Sequence, residues 1–258
     1  MSLVAIVYHL VPDAPILVAC NREEASALGI AAPSIQSGKP RILASVDPKS
    51  TGTRLGVNQN GMFAAAIPRK KHTLPTAARS RGVLCRNMLR CASAREAVDL
   101  ALEELQSDQY SGVNFVVADA ESGWVIHGAN DINACPLEEG LSIIGDRDID
   151  DQSDERVRLT HRLLTLQMLD SPVKFLAVAS KVFARAPLPG GRVGMVIREK
   201  GFQTVTSTLL SLGKKPRDAI YQYSNGAPDQ SKYEDYSPLL RDILSRGLRE
   251  SRTRTNVL

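Results

Sequence analysis

Apolar and polar positions follow two different periods along the chain, and the switches between them mark out the elements. Residues 3–8 (LVAIVY) and 16–20 (ILVAC) are short apolar runs separated by Val11-Pro-Asp-Ala-Pro15. They read as two buried strands joined by a Pro-Asp turn. After a loop with Gly29, Pro33, Gly38 and Pro40, strand-like runs return at 41–46, 54–58 and 62–67. The segment Asn58-Gln-Asn-Gly61 predicts a hairpin turn in which Asn60 and Gly61 supply positive φ. Helical spacing takes over at 80–91, with Val83, Leu84, Met88 and Leu89, and again from Ser93 to about Leu105. Glu96, three residues after Ser93, completes a capping box.

Strands are predicted at 113–119, 124–127 and 141–144, then helices at 154–169 and 172–184, the second opened by Ser171-Pro172. A hairpin closed by Gly201 joins strands at 193–198 and 202–210. A strand covers 219–224, and Ser237-Pro238 starts a last helix ending near Arg249. Strands and helices do not alternate regularly, which argues against a doubly wound parallel sheet. The hairpins and paired helices instead predict an α+β fold, a four-layer αββα sandwich of two largely antiparallel sheets flanked by helices. With no repeat, low-complexity segment or linker, 1–250 reads as one domain followed by a basic, frayed tail at 251–258.

Composition changes this picture little. The 258 residues are 43% hydrophobic and 23% charged, as in an ordinary globular chain able to bury a sizeable core. The net charge of +4 is partly local, since Arg241, Arg246, Arg249, Arg252 and Arg254 crowd the C-terminus. So small a charge does not point to nucleic acid or an anionic membrane. The last helix reads as docked on its own core, with partner binding as the alternative. The four cysteines form no CxxC pair and fit reduced thiols in a cytoplasm. The first twenty residues lack a basic start and are broken by Pro12, Asp13 and Pro15, unlike a signal peptide. No run approaches the ~20 apolar residues of a membrane span. Oligomeric state is left open.

Common chemical motifs are missing. Residues 189–194 (PGGRVG) lack the GK[ST] ending of a phosphate loop, and there is no GxSxG elbow. His9, His72, His127 and His161 show no HExxH or HxH spacing, so neither a metal nor a cofactor is expected. What remains is Asn21-Arg22-Glu23-Glu24, an Arg among carboxylates at a strand end. Such a cluster can hold a charged group in fixed geometry, or can be an exposed turn.

Six segments in order carry a resemblance. They are Met1-Ser2-Leu3-Val4, the NREE tetrad at 21–24, ASVDPKSTGTRLGVNQNGMFAAAIP at 44–68, Ser80-Arg81-Gly82, YSGVNFVVAD at 110–119 and GGRVGMV at 190–196. Together they resemble the NRDE family, which includes relatives of transport and Golgi organisation protein 2. The resemblance implies an N-terminal-nucleophile hydrolase fold, similar in layout to choloylglycine-hydrolase-type amidases. It implies that removal of Met1 exposes residue 2, whose side chain attacks an amide with its own α-amine as base. Carried onto this chain, the catalytic candidates are Ser2, with Arg22 and Glu23 orienting it, and Asp146 near the place of a second asparagine. Asn21, Asn58, Asn114 and Arg192 are the substrate-binding candidates, Arg192 for an anionic group.

The chain departs from the family pattern at several points. Ser2 stands for cysteine, Glu23 for aspartate, Arg54 for the tryptophan of a GGTW turn, and Ile67-Pro68 where relatives carry asparagine. An ionised Asp146 would repel an oxyanion. Two functions therefore stand side by side. One is an amide hydrolase acting on an unidentified small molecule. The other is a non-catalytic protein on the same fold, handling a haem, lipid or acyl-CoA-like ligand. His9 and His127 could be offered as haem ligands, or read as core-edge or surface histidines.

Overall fold

The first run, LVAIVY, has every residue buried, as expected of a strand covered on both faces. The computed structural model describes residues 2–25, 30–188, 190 and 193–255. Its chain order opens with strands β1 (Leu3–Tyr8), β2 (Ile16–Glu24), β3 (Ser34–Gln36), β4 (Ile42–Val46), β5 (Thr53–Asn58) and β6 (Phe63–Pro68). Helices α1 (Arg81–Met88) and α2 (Ala94–Leu105) follow, then β7 (Val113–Ala118), β8 (Gly123–Gly128), β9 (Ile132–Pro136) and β10 (Gly140–Ile144). After α3 (Glu155–Leu164) and α4 (Pro172–Phe183) come β11 (Arg198–Glu199), β12 (Phe202–Leu212), β13 (Ile220–Ser224), β14 (Glu234–Asp235) and α5 (Ser237–Thr255).

Among the described residues the strands form two seven-stranded sheets. One has the order β10-β1-β2-β12-β13-β14 with β11 beside β12, the other runs β3 to β9 in sequence order. Every strand pairing within them is antiparallel. Period-two alternation splits each strand between two cores. Val4, Ile6, Val18 and Leu210 meet Leu43, Val57, Phe63 and Val116 between the sheets. Leu3, Ala5, Leu17 and Leu209 pack under α3 and α4, with Phe175 and Phe183. Ala64, Phe115 and Val117 pack under α1 and α2, with Leu84, Met88 and Val98. The result is the αββα sandwich. Helix α5 lies outside the paired layers and inserts Leu240, Ile243 and Leu244 into the inter-sheet core. No described helix is long and apolar enough to cross a membrane.

The caps read at Ser93 and Ser171 form through the side chain, with Pro172 in the first turn of α4. Ser80 and Asp154 cap α1 and α3 in the same way without having been expected. Five expectations are corrected. The second strand does not end at Cys20 but continues through Glu24, because β12 pairs with it as far as Glu24–Gln203. The strand expected at 193–198 is reduced to Arg198–Glu199, since the Met195 and Val196 amides both bond Arg185 O instead of a neighbouring strand. The helix expected to reach 169 stops at Leu164, where Thr165 Oγ1 takes up the last-turn carbonyls of His161 and Arg162. The last helix continues past Arg249, with Ser251 and Thr253 hydroxyls bonding carbonyls one turn back. In the 58–61 hairpin only Gly61 has positive φ, at 84°, and Asn60 does not. Strands β3, β9 and β14 escaped prediction because all three are sheet-edge strands without a buried residue and with no clear alternation.

Candidate active site

Extension of β2 through the tetrad decides where its side chains go. Successive residues point to opposite faces. Asn21 and Glu23 face the helical layer, whereas Arg22 lies on the inter-sheet side with Ser2. The β1–β2 register ends at Leu3–Asn21, so Ser2 stands level with Arg22, and Arg22 is paired with Thr206 of β12. A bulge between Thr204 and Thr206 falls opposite Glu23 and Arg22. Bulges re-aim side chains and are frequent beside functional sites.

Ser2 is 5% exposed. Its Oγ accepts a hydrogen bond from the Glu23 amide at 3.2 Å. That donor stabilises negative charge developing on the oxygen and leaves the hydroxyl proton for a base. On the other face, the Glu23 carboxylate is 1% exposed and accepts from Arg156 Nη2 at 3.0 Å and Thr204 Oγ1 at 3.4 Å. Burial pushes the Glu23 carboxyl upward, and the Arg156 guanidinium pulls it back. Arg156 also donates to Met195 O at 2.9 Å. Sequence reasoning did not find Arg156. It sits in the first turn of α3, an ordinary surface position by pattern, and reaches Glu23 across 133 residues.

The remaining candidates divide. Arg22 lines the cleft and donates through Nε and Nη2 to Glu24 Oε1 at 3.0 and 2.9 Å. Asn21 Nδ2 donates to Phe183 O and Met195 O at 2.9 and 3.0 Å, fastening α4 and the 195 segment to the sheet. Asn58 has all its amide capacity engaged. Nδ2 donates to Leu89 O and Cys91 O, and Oδ1 accepts from the Asn60 and Met62 amides. Asn114 is engaged in the same way: Nδ2 donates to Gly145 O and Arg147 O, and Oδ1 contacts His127 Nδ1 and Arg69 Nη1. Asp146, 2% exposed, lies at 3.9 Å from Lys70 Nζ and lines a separate polar hollow with Arg69, His72 and Asn130. Arg192 and Met1 lie outside the described residues.

Ser2 thus borders an inter-sheet cleft. Val4, Leu55, Ala65 and Ile67 make it apolar, while Arg22, Arg54, Thr206 and Tyr223 give it polar edges. The cleft encloses about 30 Å³, room for one or two waters. Tyr223 holds its hydroxyl buried near Ser45 and Thr206 without a well-formed bond to a described residue, and burial raises its pKa so that it stays a neutral donor. Arg54 Nε lies 3.6 Å from Glu24 Oε1, but its buried Nη1 has no acceptor among the described residues. An unmet buried donor of this kind costs about 1–3 kcal/mol, more when charged. Arg22 and Arg54 also line an adjoining hollow of about 100 Å³, closed by Ser50, Gly52, Ser80 and Gly82.

A family model described as Transport and Golgi organisation 2 matches residues 1–184. The chain belongs to this family. No curated protein matches it significantly. Among solved structures, a Caenorhabditis elegans N-acylethanolamine-hydrolyzing acid amidase ortholog is 14% identical with a TM-score of 0.56, covering 81% of this chain and 92% of its own. A mutant of conjugated bile acid hydrolase from Clostridium perfringens is 11% identical with a TM-score of 0.51, over 92% and 93%. Penicillin V acylase from Agrobacterium tumefaciens is 12% identical with a TM-score of 0.50, over 87% and 83%. These likenesses establish the N-terminal-nucleophile hydrolase fold for this member of the Transport and Golgi organisation 2 family. Among its described residues no cluster of three or more His, Cys, Asp or Glu could hold a metal. Its His127 is buried with Nδ1 at 2.8 Å from Asn114 Oδ1, and burial and Arg69 lower its pKa.

Proposed function

We propose that this protein is an N-terminal-nucleophile amide hydrolase of a small molecule, with Ser2 as nucleophile after removal of Met1. The observation that supports it most is the placement of Ser2 at the mouth of the inter-sheet cleft, with Oγ held by the Glu23 amide and Arg22 alongside. In this reading the α-amine of Ser2 takes the hydroxyl proton as Oγ attacks the amide carbonyl carbon. The tetrahedral adduct collapses when the same amine, now protonated, gives its proton to the leaving nitrogen. Water then hydrolyses the acyl-serine. Glu23 and Arg156 hold the N-terminal end of β1 in place from the helical side. With Asn58 and Asn114 engaged elsewhere, the Tyr223 hydroxyl is the donor in the cleft toward a developing oxyanion.

The base must be unprotonated, so kcat/KM rises with pH through the α-amine range of about 7.7–8.0 and levels off above it. The first test is intact mass of untagged protein with and without a β-lactone probe. Loss of Met1 and a single adduct that disappears in Ser2→Ala is the expected result. Retained Met1, or an adduct unchanged in Ser2→Ala, overturns the mechanism.

The second reading, a non-catalytic carrier of a small ligand, is favoured by the narrow cleft and by the commitment of both asparagine amides to backbone partners. It predicts an unreactive Ser2 together with a ligand that co-purifies and is seen by native mass spectrometry.

A further inference from the structure

The hollow beyond Arg54 has no part in the hydrolytic steps above. We propose that it is an anion subsite, in which Arg54 and Arg22 seat a carboxylate or phosphate group of the molecule whose apolar body occupies the Ser2 cleft. It relies on the proposed function only in calling that molecule a substrate.

Space comes first. The hollow encloses about 100 Å³, and Arg22 and Arg54 border both it and the cleft, so one ligand can span the two. Charge comes second. Two guanidiniums, Arg22 and Arg54, border the hollow, and Arg81, anchored by Nη1 to Gly112 O at 2.8 Å, is near enough to Arg54 to repel it. The two nearby carboxylates are already occupied. Glu24 Oε1 accepts both donors of Arg22. Asp47, which itself lines the hollow, accepts from the Lys49 amide and the Ser50 hydroxyl at 2.9 and 2.8 Å within its own turn.

An unmet donor is the third observation. Arg54 Nη1 is buried with no acceptor among the described residues, whereas its Nε faces Glu24. A planar guanidinium with one edge committed and a donor unmet suits an anion bound through two oxygens. Burial penalises the charged form of Arg54, Glu24 offsets part of that penalty, and the neighbouring Arg22 adds to it; a bound anion would offset more. The wall is also kept bare. A Cβ on Gly52 would sit 2.4 Å from the Gly82 carbonyl carbon. That close packing brings the first turn of α1 against the hollow, and its positive end adds to the field of the arginines. The cleft lining of Val4, Leu55, Ala65 and Ile67 is apolar. The ligand class is therefore a small amphiphile with an acidic end.

The test uses the full chain and simple probes. Inorganic phosphate and, separately, acetate are titrated by calorimetry or NMR at constant ionic strength. Saturable binding of at least one is expected, and the tighter of the two identifies the group preferred. Arg54→Gln should weaken it at least tenfold. Arg54→Lys, which keeps the charge but loses the fork, should weaken it at least threefold and provides the readout if the glutamine variant misfolds. Arg217→Gln, an exposed site elsewhere, should bind as wild type. No saturable binding, or unchanged affinity in the Arg54 variants, overturns the subsite. Ser2→Ala should bind whichever anion the wild type binds with the same affinity, so failure of the probe reaction at Ser2 and failure of the subsite are read separately.

Discussion

Glu23 acts through two of its groups in opposite directions: its amide bonds Ser2 Oγ on one side while its carboxylate bonds Arg156 on the other. Glu23→Gln keeps the amide and removes the charge opposite Arg156. Breaking a buried pair from one side costs on the order of 3 kcal/mol. Urea denaturation should show a loss of that order, while the backbone bond to Ser2 persists. The tetrad was legible as a cluster with potential, because an Arg among carboxylates is a visible signal. Its division between two faces was not legible, since that depends on β2 continuing to Glu24. The asparagines teach the same lesson. Asn58 and Asn114 stand out by residue type, yet their amides bond carbonyls at 89, 91, 145 and 147, partners that no local pattern names.

Elements were read best where their signals are local. The cap at α2 is an example. Ser93 Oγ accepts from the Glu96 amide at 3.2 Å as expected, while Glu96 Oε2 accepts at 2.7 Å from the Ala92 amide, one residue before the cap, instead of from Ser93 as a strict capping box requires. Ser93→Ala should lower stability by about 1 kcal/mol, measured as a shift in denaturation midpoint at unchanged slope. Helix α5 is held at its far end by Glu250, which bonds Arg41 Nη1 at 2.7 Å and Gln59 Nε2 at 2.8 Å. The bond from Arg41, then that from Gln59, holds the Glu250 carboxyl below the usual carboxylate range. Because the folded-state pKa is depressed, this tether contributes above the unfolded value of about 4.3 and is lost as pH falls through the folded one. Glu250→Gln should therefore lower Tm modestly at neutral pH and leave it unchanged in acid below the folded-state value. An equal difference in both ranges would place the effect outside ionisation.

For the molecule as a whole, α5 is the joint between layers. Leu240, Ile243 and Leu244 enter the core shared by the two sheets. Burial of each is worth about 1.5–3 kcal/mol, and together they rival the ~5–15 kcal/mol total of a typical domain. Deletion of 236–258 should therefore abolish cooperative unfolding. A truncated chain that still folds but loses a binding partner would instead make α5 an interaction helix. The sequence by itself determined most of the longer elements, the caps at Ser93 and Ser171 and the two-sheet class, because apolar period, capping and turn residues act within a few positions of one another. It also carried the family, through five segments in a fixed order that lie within the matched residues 1–184. Only the tertiary structure decided which side chains share a space. Ser2 and Arg54 lie on different sheets, Arg156 reaches Glu23 from a helix 133 residues away, and two asparagines are saturated by distant carbonyls. Such encounters are fixed by strand register and layer packing, which are set by the whole chain at once.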